Sequence, residues 1–490
     1  MTNPTTGDDL GIAILGGGPA GLTAAHVLTL DKRRGTVLEA DGVVGGIAKT
    51  VVFEGYRFDL GGQRFYTKLK PIEDMWRDIL DEEFLTRTRM SRIFFRNKFF
   101  NYPLRAQDVF SRLGVIESAR CAASYVVWRR RMRHHEPQTF EEWVLSRFGK
   151  RIYENFFESY THKVWGIPGS EIRSEWAAQR IQNFTLWQAL LGILRIRRGE
   201  VTTLIEEFLY PRLGPGQLWE TLADRVAAQG VEVRLNNRVA SIRHSAGRIT
   251  GVVVESNGGN PVEHPTEGVL SSIPLSDLVL SLDPPPPVEV QAAAKRLRYR
   301  NLCLVALMTS DPEPFPDNWI YLHDPDTLAG RVQNFGAWSP DMVKQGTTCL
   351  GVEYFCFPED EIWRMSDSEA VALATKELAG IGLINPENVI NGVKVNVPKA
   401  YPMYDGNYRE AVAEIRGYLE HIENLKTFGR NGLHRYNNQD HSMWTAVQAT
   451  RNLINDTTYD VWSVNTKGEY LEERGEVAEE LYAELGLVGR

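Results

Sequence analysis

Residues 10–22 read Leu-Gly-Ile-Ala-Ile-Leu-Gly-Gly-Gly-Pro-Ala-Gly-Leu, a short apolar run that leads directly into a glycine-rich turn. The apolar run predicts a buried strand, and the residues that follow, 22–30, predict a helix. Gly16, Gly18 and Gly21 have the spacing G-x-G-x-x-G. In this motif the first glycine permits a tight turn, the second lets the backbone approach a pyrophosphate, and the third lets helix and strand pack closely. The stretch therefore predicts a dinucleotide-binding βαβ unit.

A second predicted strand, residues 36–39, ends in an acid. Glu39 lies 18 residues after Gly21, where a carboxylate can accept hydrogen bonds from a ribose hydroxyl. Its charge disfavours a ribose that carries a 2′-phosphate. The N-terminus of the helix after the glycine turn supplies N–H donors and partial positive charge to the phosphates of the ligand.

Composition excludes several other classes of protein. The chain has 490 residues, 24% of them charged, and a net charge of −8, a balance that argues against broad nucleic-acid binding. No run of 18 apolar residues and no signal peptide is apparent, so we expect a cytoplasmic protein without a transmembrane segment. The cysteines are too scattered for a zinc site or a disulfide framework, and no metal is expected. They are Cys121, Cys303, Cys349 and Cys356.

Three further segments resemble FAD enzymes of the amine-oxidase type. Gly45 and Gly46 follow the second strand, where these enzymes carry a glycine doublet beside the pyrophosphate. Residues 231–239 resemble the strand whose valine backbone meets adenine, which implies that role for Val239. Residues 268–274 resemble the strand that returns to the first βαβ unit. The cofactor implied is FAD, bound non-covalently.

Three motifs are similar to those of UDP-galactopyranose mutases. Residues 61–68 read Gly-Gly-Gln-Arg-Phe-Tyr-Thr-Lys and resemble the loop that faces the flavin, with Gln63 where histidine is usual. Residues 160–166, Tyr-Thr-His-Lys-Val-Trp-Gly, resemble the mutase signature Y-T-x-K-x-W-G. Residues 428–440 resemble the strand-to-helix motif near the C-terminus of the mutases. The chain is thus identified as a member of the mutase-like branch of the FAD-dependent amine oxidase and protoporphyrinogen oxidase superfamily.

The resemblance implies roles for individual residues. The implied cofactor-binding residues are Gly16, Gly18, Gly21, Glu39, Gly45, Gly46, Gln63, Val239, Gly429, Arg430 and Asp440. The implied substrate-binding residues are Trp165, Arg180, Arg331, Tyr401, Tyr404 and Tyr436. The mutases carry a second arginine where this chain has Phe184, so we expect a substrate other than UDP-galactose, with Arg331 as a substitute cation.

The predicted fold class is α/β, or α+β overall. A discontinuous Rossmann-like FAD-binding domain is expected at 8–70, 215–280 and 425–455, with a helical insertion at 105–210. A substrate-binding domain with a mixed sheet is expected at 284–425, and a C-terminal tail at 456–490. Basic runs at 128–133 and 195–198 are consistent either with a surface for anionic lipid or a partner, or with solvated helix faces.

Two functions remain open on the sequence. In the first, the enzyme interconverts pyranose and furanose forms of a nucleotide sugar, and the resemblance implies reduced flavin N5 as the nucleophile on the anomeric carbon, with NAD(P)H considered as the reductant. No protein side chain is then expected to act as a strong acid or base, because the cofactor carries the difficult step. In the second, the enzyme oxidises its substrate, as amine oxidases, protoporphyrinogen oxidases and desaturases do. The oligomeric state is not readable from the sequence.

Overall fold

The computed structural model of the protein describes residues 5–67, 69–102, 112–176, 207–256, 258–464 and 484–485. Several residues singled out above lie outside these ranges: Lys68, Arg180, Phe184 and the basic run 195–198. The terminal helix expected from residue 470 lies outside them as well.

A five-stranded parallel sheet forms around the glycine motif. Its central strand, Ile12–Leu15, is buried and lies between Gly35–Leu38 and Gly268–Ser271. The full order across the sheet is Val231–Arg234, Gly35–Leu38, Ile12–Leu15, Gly268–Ser271 and Leu425–Thr427. These strands come from three distant parts of the chain, and helices connect parallel strands as they must in such a sheet. The α/β prediction is confirmed.

The first helix of this unit, Pro19–Leu30, begins where the glycine turn ends. Gly18 is its N-cap in an extended conformation, and Pro19 occupies the first helical position, where its missing N–H would have had no partner. Residues 20–28 of the helix are all buried. The helix packs against Gly216–Ala228 and Gln439–Ile454, so it is covered on several sides, which explains its apolar sequence.

A second, seven-stranded sheet faces the first unit. Its order is Val389–Pro402, Tyr299–Thr309, Thr348–Cys356, Arg331–Asn334, Trp319–Leu322, Ser91–Phe95 and Lys98–Asn101. All neighbouring pairs are antiparallel except Trp319–Leu322 with Ser91–Phe95, which is parallel. The strands at 91–101 precede the segment 284–425 for which the sequence predicts a mixed sheet, and no sequence pattern predicted them. The helix Asp367–Gly380 is stabilised at its start by a capping box between Ser366 and Glu369.

Three further sheets and several helices surround the parallel five-stranded sheet and the seven-stranded sheet. A third sheet has the order Thr5–Thr6, Val262–Pro265, Arg248–Ser256, Asn237–Ser245 and Leu282–Asp283. Two-stranded sheets join Thr50–Phe53 to Tyr56–Asp59 and Phe84–Thr88 to Glu207–Pro211. The other α-helices are Lys70–Leu80, Val115–Arg131, Phe140–Phe148, Lys150–Ile152, Glu158–Trp165, Leu275–Leu280, Val288–Arg296, Phe335–Trp338, Glu361–Arg364 and Tyr408–Leu419, with a π-helical stretch at Tyr153–Phe157. Short 3₁₀ turns span Gly46–Ala48, Asp81–Glu83, Pro340–Met342, Pro386–Asn388 and Val461–Ser463.

Within the described ranges, no helix is long and apolar enough to cross a membrane, and no group of three or more histidine, cysteine or acidic residues could hold a metal ion. All four cysteines are buried and unpaired.

The close approach of helix and strand at Gly21 gives a first prediction. A Cβ atom on Gly21 would lie 1.8 Å from the carbonyl oxygen of Gly16, so Gly21→Ala forces the helix away from the turn. We expect a loss of at least about 1–3 kcal/mol in the free energy of unfolding, the range for overpacking, together with loss of bound flavin. Chemical denaturation and the visible absorption of the purified protein measure the two effects.

The matched control is Gly417→Ala. Gly417 lies on the helix Tyr408–Leu419, and a Cβ atom there would meet no atom within 4 Å. Alanine should stabilise this helix by about 0.5–1 kcal/mol. Equal stability and equal flavin content in the two variants would contradict the account of Gly21.

Candidate active site

The glycine turn forms a cradle of backbone at the end of the strand Ile12–Leu15. Gly16 has a φ of +97°, which a residue with a side chain rarely adopts. The glycine doublet lies against this turn, because the N–H of Gly45 donates to the carbonyl of Gly17 at 2.8 Å. A Cβ atom on Gly46 would lie 3.3 Å from the Cα of Gly18. The two glycine segments thus keep side chains out of the space in front of the helix N-terminus, which is what a bound pyrophosphate requires.

The carboxylate of Glu39 lies beside this cradle and is held there by two backbone N–H groups. One carboxylate oxygen accepts the N–H of Gly17 at 2.6 Å and the other accepts the N–H of Asp41 at 2.8 Å. Glu39 also lines the cleft that begins at the glycine turn. Its carboxylate is therefore held beside the position where the motif places a ribose.

This cleft runs from the cradle to the face of the seven-stranded sheet and has a cavity volume of about 440 Å³. It brings together most of the residues that the sequence singles out. The predicted residues that line it are Gly16, Gly18, Glu39, Gly46, Gln63, Arg331, Tyr401, Arg430, Tyr436 and Asp440.

The C-terminal motif closes the cleft beside the glycine turn. Arg430 donates to the carbonyls of Ala400 and Asn437, each at 3.0 Å, and its guanidinium lies 4.0 Å from the ring of Tyr436. Asp440 lies in the first turn of the helix Gln439–Ile454. This second helix N-terminus at the cleft provides partial positive charge opposite the first.

Gln63 is tied to protein groups on both sides of its amide. Its Nε2 donates to the carbonyl of Ile47 at 3.2 Å, and its Oε1 accepts from Gln439 at 3.3 Å. The side chain therefore links the glycine doublet to the C-terminal helix while it lines the cleft.

A buried ion pair dominates the wall formed by the seven-stranded sheet. Arg331 contacts Glu353 at 2.5 Å, and Glu353 is fully buried. Burial alone would lower the pKa of Arg331, but the Glu353 carboxylate and the neighbouring tyrosines raise that pKa well above its ordinary value. Arg331 also donates to the hydroxyl of Tyr401 at 3.1 Å, and the ring of Tyr401 stacks on Tyr436 at 5.6 Å. Three of the predicted substrate-binding residues thus converge.

Several predicted residues do not line the cleft. Trp165 is 1% exposed and lies behind the tyrosines, with its ring 6.5 Å from Tyr401 and 6.3 Å from Tyr436. The hydroxyl of Tyr404 accepts the N–H of Tyr436 at 2.8 Å, so it supports the backbone instead of facing the cavity. Val239 lies on the strand Asn237–Ser245 and packs against the core that contains Leu15 and Leu38 of the parallel sheet.

Gly21, Gly45 and Gly429 support the cleft from behind. Gly429 has a φ of +86°, and its N–H donates to Thr445 at 3.0 Å. Arg180 lies outside the described residues.

Lys163 and His434, two titratable residues in the quoted motifs, have structural roles. The ammonium of Lys163 donates to the carbonyls of Leu322 and Ala329 at 3.0 and 3.3 Å, so it is neither a phosphate ligand in the cleft nor solvated. Burial lowers its pKa to about 8. His434 is buried and bonded to the carbonyl of Met403, and burial lowers its pKa to about 4, which fits a packed neutral ring.

Sequence reasoning missed the acid and the aromatic residues of the wall. Glu353 and Gln333 come from neighbouring strands and are joined by a hydrogen bond of 2.6 Å. Trp319 and Arg64 also line the cleft. A charged residue within the apolar strand Thr348–Cys356 is the one signal that could have identified Glu353, since such residues are rarely buried without a partner.

Residues 19–434 match the family of flavin-containing amine oxidoreductases. The chain belongs to this family. Because the match spans most of the chain, the protein is a flavin-dependent enzyme, and the sequence-based identification of the superfamily is confirmed.

Solved structures with this fold include enzymes of both kinds that the sequence left open. A reduced UDP-galactopyranose mutase is similar with a TM-score of 0.80 at 21% identity, over 92% of this chain and 96% of that one. A putative protoporphyrinogen oxidase from Exiguobacterium sp. 255-15 has a TM-score of 0.70 at 16% identity, over 92% of this chain and 100% of the other. A putrescine oxidase has a TM-score of 0.62 at 16% identity, with 93% and 100% covered.

A curated relative matches a short segment only. A probable UDP-galactopyranose mutase from Klebsiella pneumoniae is 57% identical over 37 residues, which is 8% of this chain and 10% of that relative. At these identities the structural likenesses establish the fold, and the choice of reaction depends on the cleft.

The pair of Arg331 and Glu353 gives a second prediction. Glu353→Gln leaves the arginine without its counter-charge, a change that costs about 3–5 kcal/mol in a fully buried pair and less here, because the Arg331 side chain is 19% exposed. The double variant Arg331→Met, Glu353→Gln should lose less stability than the two single variants together. Urea denaturation of the three proteins measures the coupling.

The exposed pair of Arg416 and Glu420 serves as the control, since Glu420→Gln should change stability by less than about 1 kcal/mol. Additive losses for Arg331 and Glu353 would show that they do not act as a pair.

The buried carboxyl of Asp59 gives a prediction about pH. Burial raises the pKa of Asp59 from 3.8 to about 7, although the hydroxyls of Tyr210 and Thr50 both donate to it. The folded state then binds more protons than the unfolded chain between these values, so stability falls as the pH rises from about 4 to about 7. Asp59→Asn should flatten this dependence. The exposed control Asp224→Asn should retain it, and an unchanged slope in Asp59→Asn would refute the assignment.

Proposed function

We propose that the protein is a FAD-dependent mutase that interconverts pyranose and furanose forms of an anionic nucleotide sugar. The observation that carries the proposal is the convergence of Arg331, Tyr401 and Tyr436 on the wall of the cleft that begins at the dinucleotide cradle. The guanidinium of Arg331 and the two phenol hydroxyls offer hydrogen-bond donors to a diphosphate.

The described residues fit FAD. The glycine turn and the doublet would accommodate the pyrophosphate, Glu39 the ribose, and the N-terminus of the helix Gln439–Ile454 the isoalloxazine end. As the resemblance implies, we propose that FAD is bound non-covalently. When bound and reduced, by NAD(P)H or another donor, the flavin supplies the nucleophile for the anomeric carbon.

The substrate wall is polar where a sugar would lie. Burial raises the pKa of Tyr401, which keeps its hydroxyl neutral and able to donate a hydrogen bond. Gln333 lines the cleft, and its buried Oε1 has no hydrogen-bond donor within the described part of the chain. A sugar hydroxyl could satisfy this acceptor, whereas a polyene could not. We propose that residues 284–425, with the strands at 91–101, form the substrate domain.

Net oxidation is the second candidate. It is favoured by the aromatic wall, where Trp319 stacks on Trp338 at 5.6 Å, and by the oxidases that share the fold. Arg64 argues against a cationic amine substrate, because it lines the cleft, forms no ion pair within the described residues and would repel an ammonium group.

Product analysis with reduced enzyme tests the proposal. The holoenzyme, reduced anaerobically with dithionite, is incubated with nucleotide sugars in the pyranose form, and isomers are separated by chromatography. We expect a furanose isomer with the reduced enzyme and none with the oxidised enzyme. Tyr401→Phe should lower kcat/KM by about 10- to 100-fold, the value of one hydrogen bond to a charged group.

The matched control is Tyr418→Phe, a tyrosine outside the cleft, which should retain full activity. The mutase proposal fails if no nucleotide sugar is isomerised while an amine or a polyene bleaches the oxidised flavin.

A further inference from the structure

Two arginine side chains lie against one indole ring at the edge of the cleft. The guanidinium carbon of Arg64 is 5.3 Å from the ring centre of Trp319, and that of Arg89 is 5.6 Å from it. The fold explains why they meet. Arg89 immediately precedes the strand Ser91–Phe95, which pairs in parallel with Trp319–Leu322 so that Ser91 is opposite Trp319. Arg64 reaches the same ring from the loop after Gly61 and Gly62.

Neither arginine is paired with a carboxylate of the residues that the structure describes. Within the described ranges, no carboxylate forms an ion pair with Arg64 or Arg89, although the neighbouring arginines are paired: Arg92 with Asp317 and Arg331 with Glu353. Arg89 donates to the carbonyl of Tyr102 at 3.4 Å, a weak contact. Its Nε is buried and no acceptor reaches it in the described part of the protein.

Two like charges beside an aromatic ring, with a buried donor unsatisfied, are costly unless an anion binds between them. Burial lowers the pKa of Arg64, and the charges of Arg89 and Arg331 lower it further, while nearby Tyr321 and Tyr102 oppose the shift. Arg64, Trp319 and Tyr321 line the cleft, so a ligand there can reach Arg64 directly. Arg89 does not line the cleft and adjoins it through the ring of Trp319.

We infer that Arg64 and Arg89, held against Trp319, form an oxyanion subsite that binds a phosphate or carboxylate group of the substrate. The guanidinium fork suits both groups, because each presents two oxygens in one plane. This inference deepens the proposed function and rests on it in one respect only, that the substrate occupies the same cleft. The subsite lies on a different strand pair from the Arg331 and Glu353 pair, and it favours a substrate with negative charge at this end.

Titration calorimetry with the oxidised holoenzyme tests the subsite without turnover. Inorganic pyrophosphate and malonate serve as probes, one for phosphate and one for carboxylate. For the anion that wild type binds more tightly, Arg64→Gln and Arg89→Gln should each weaken binding by about 10- to 100-fold, the range for a charge-assisted contact. Arg64→Lys keeps the positive charge but not the two parallel N–H donors of the guanidinium, so it should weaken binding less than Arg64→Gln does.

The control is Arg33→Gln, which removes the same charge from an exposed position outside the cleft and should bind both probes like wild type. Tighter binding of pyrophosphate would assign the subsite to phosphate, and tighter binding of malonate to carboxylate. The inference is overturned if wild type binds neither probe, or if both Arg64→Gln and Arg89→Gln, with normal flavin content, bind like wild type. Isomerisation with an unchanged KM in these variants would overturn the subsite alone, whereas anion binding without any isomerisation would overturn the mutase proposal alone.

Discussion

The structure depends on the contact between the carbonyl oxygen of Gly16 and the Cα of Gly21, which leaves no room for a side chain. This contact seats the helix Pro19–Leu30 directly on the end of the strand Ile12–Leu15 and aims its N-terminus into the cleft. The glycine doublet and the helix Gln439–Ile454 are then arranged around the same space. A pyrophosphate can lie there because backbone N–H groups, and not side chains, form the wall.

The opposite wall of the cleft is the seven-stranded sheet, where charged side chains are buried because they form an ion pair. Glu353 lies in an otherwise apolar strand and is stabilised there by Arg331 and Gln333. Since this pair is nearly neutral, the excess positive charge of the described wall belongs to Arg64, and Arg89 adds to it from behind the ring of Trp319. The cleft therefore has an acid, Glu39, beside the expected ribose and arginines beside the substrate. This polarity fits an anionic substrate better than an amine.

The sequence predicted the fold of the βαβ unit well, because its determinants are local. The spacing of Gly16, Gly18 and Gly21, and the acid at Glu39, act within a single βαβ unit. The substrate half was predicted less completely. Tyr401 and Tyr436 were predicted from the resemblance, and Arg331 as a substitute for the arginine missing at Phe184. Trp165 and Tyr404 lie behind the two tyrosines, and the sequence could not predict this because a motif does not reveal which layer a side chain occupies. Arg64, Arg89 and Trp319 meet only through the parallel pairing of distant strands, which no local pattern encodes.

The central claim is that this cleft takes an anionic nucleotide ligand next to the flavin. The most direct measurement is the visible spectrum of the bound flavin during titration with UDP. The account predicts a saturable spectral change that excess pyrophosphate reverses and that Tyr401→Phe weakens. No spectral change with UDP, together with bleaching of the oxidised flavin by an amine, would contradict it.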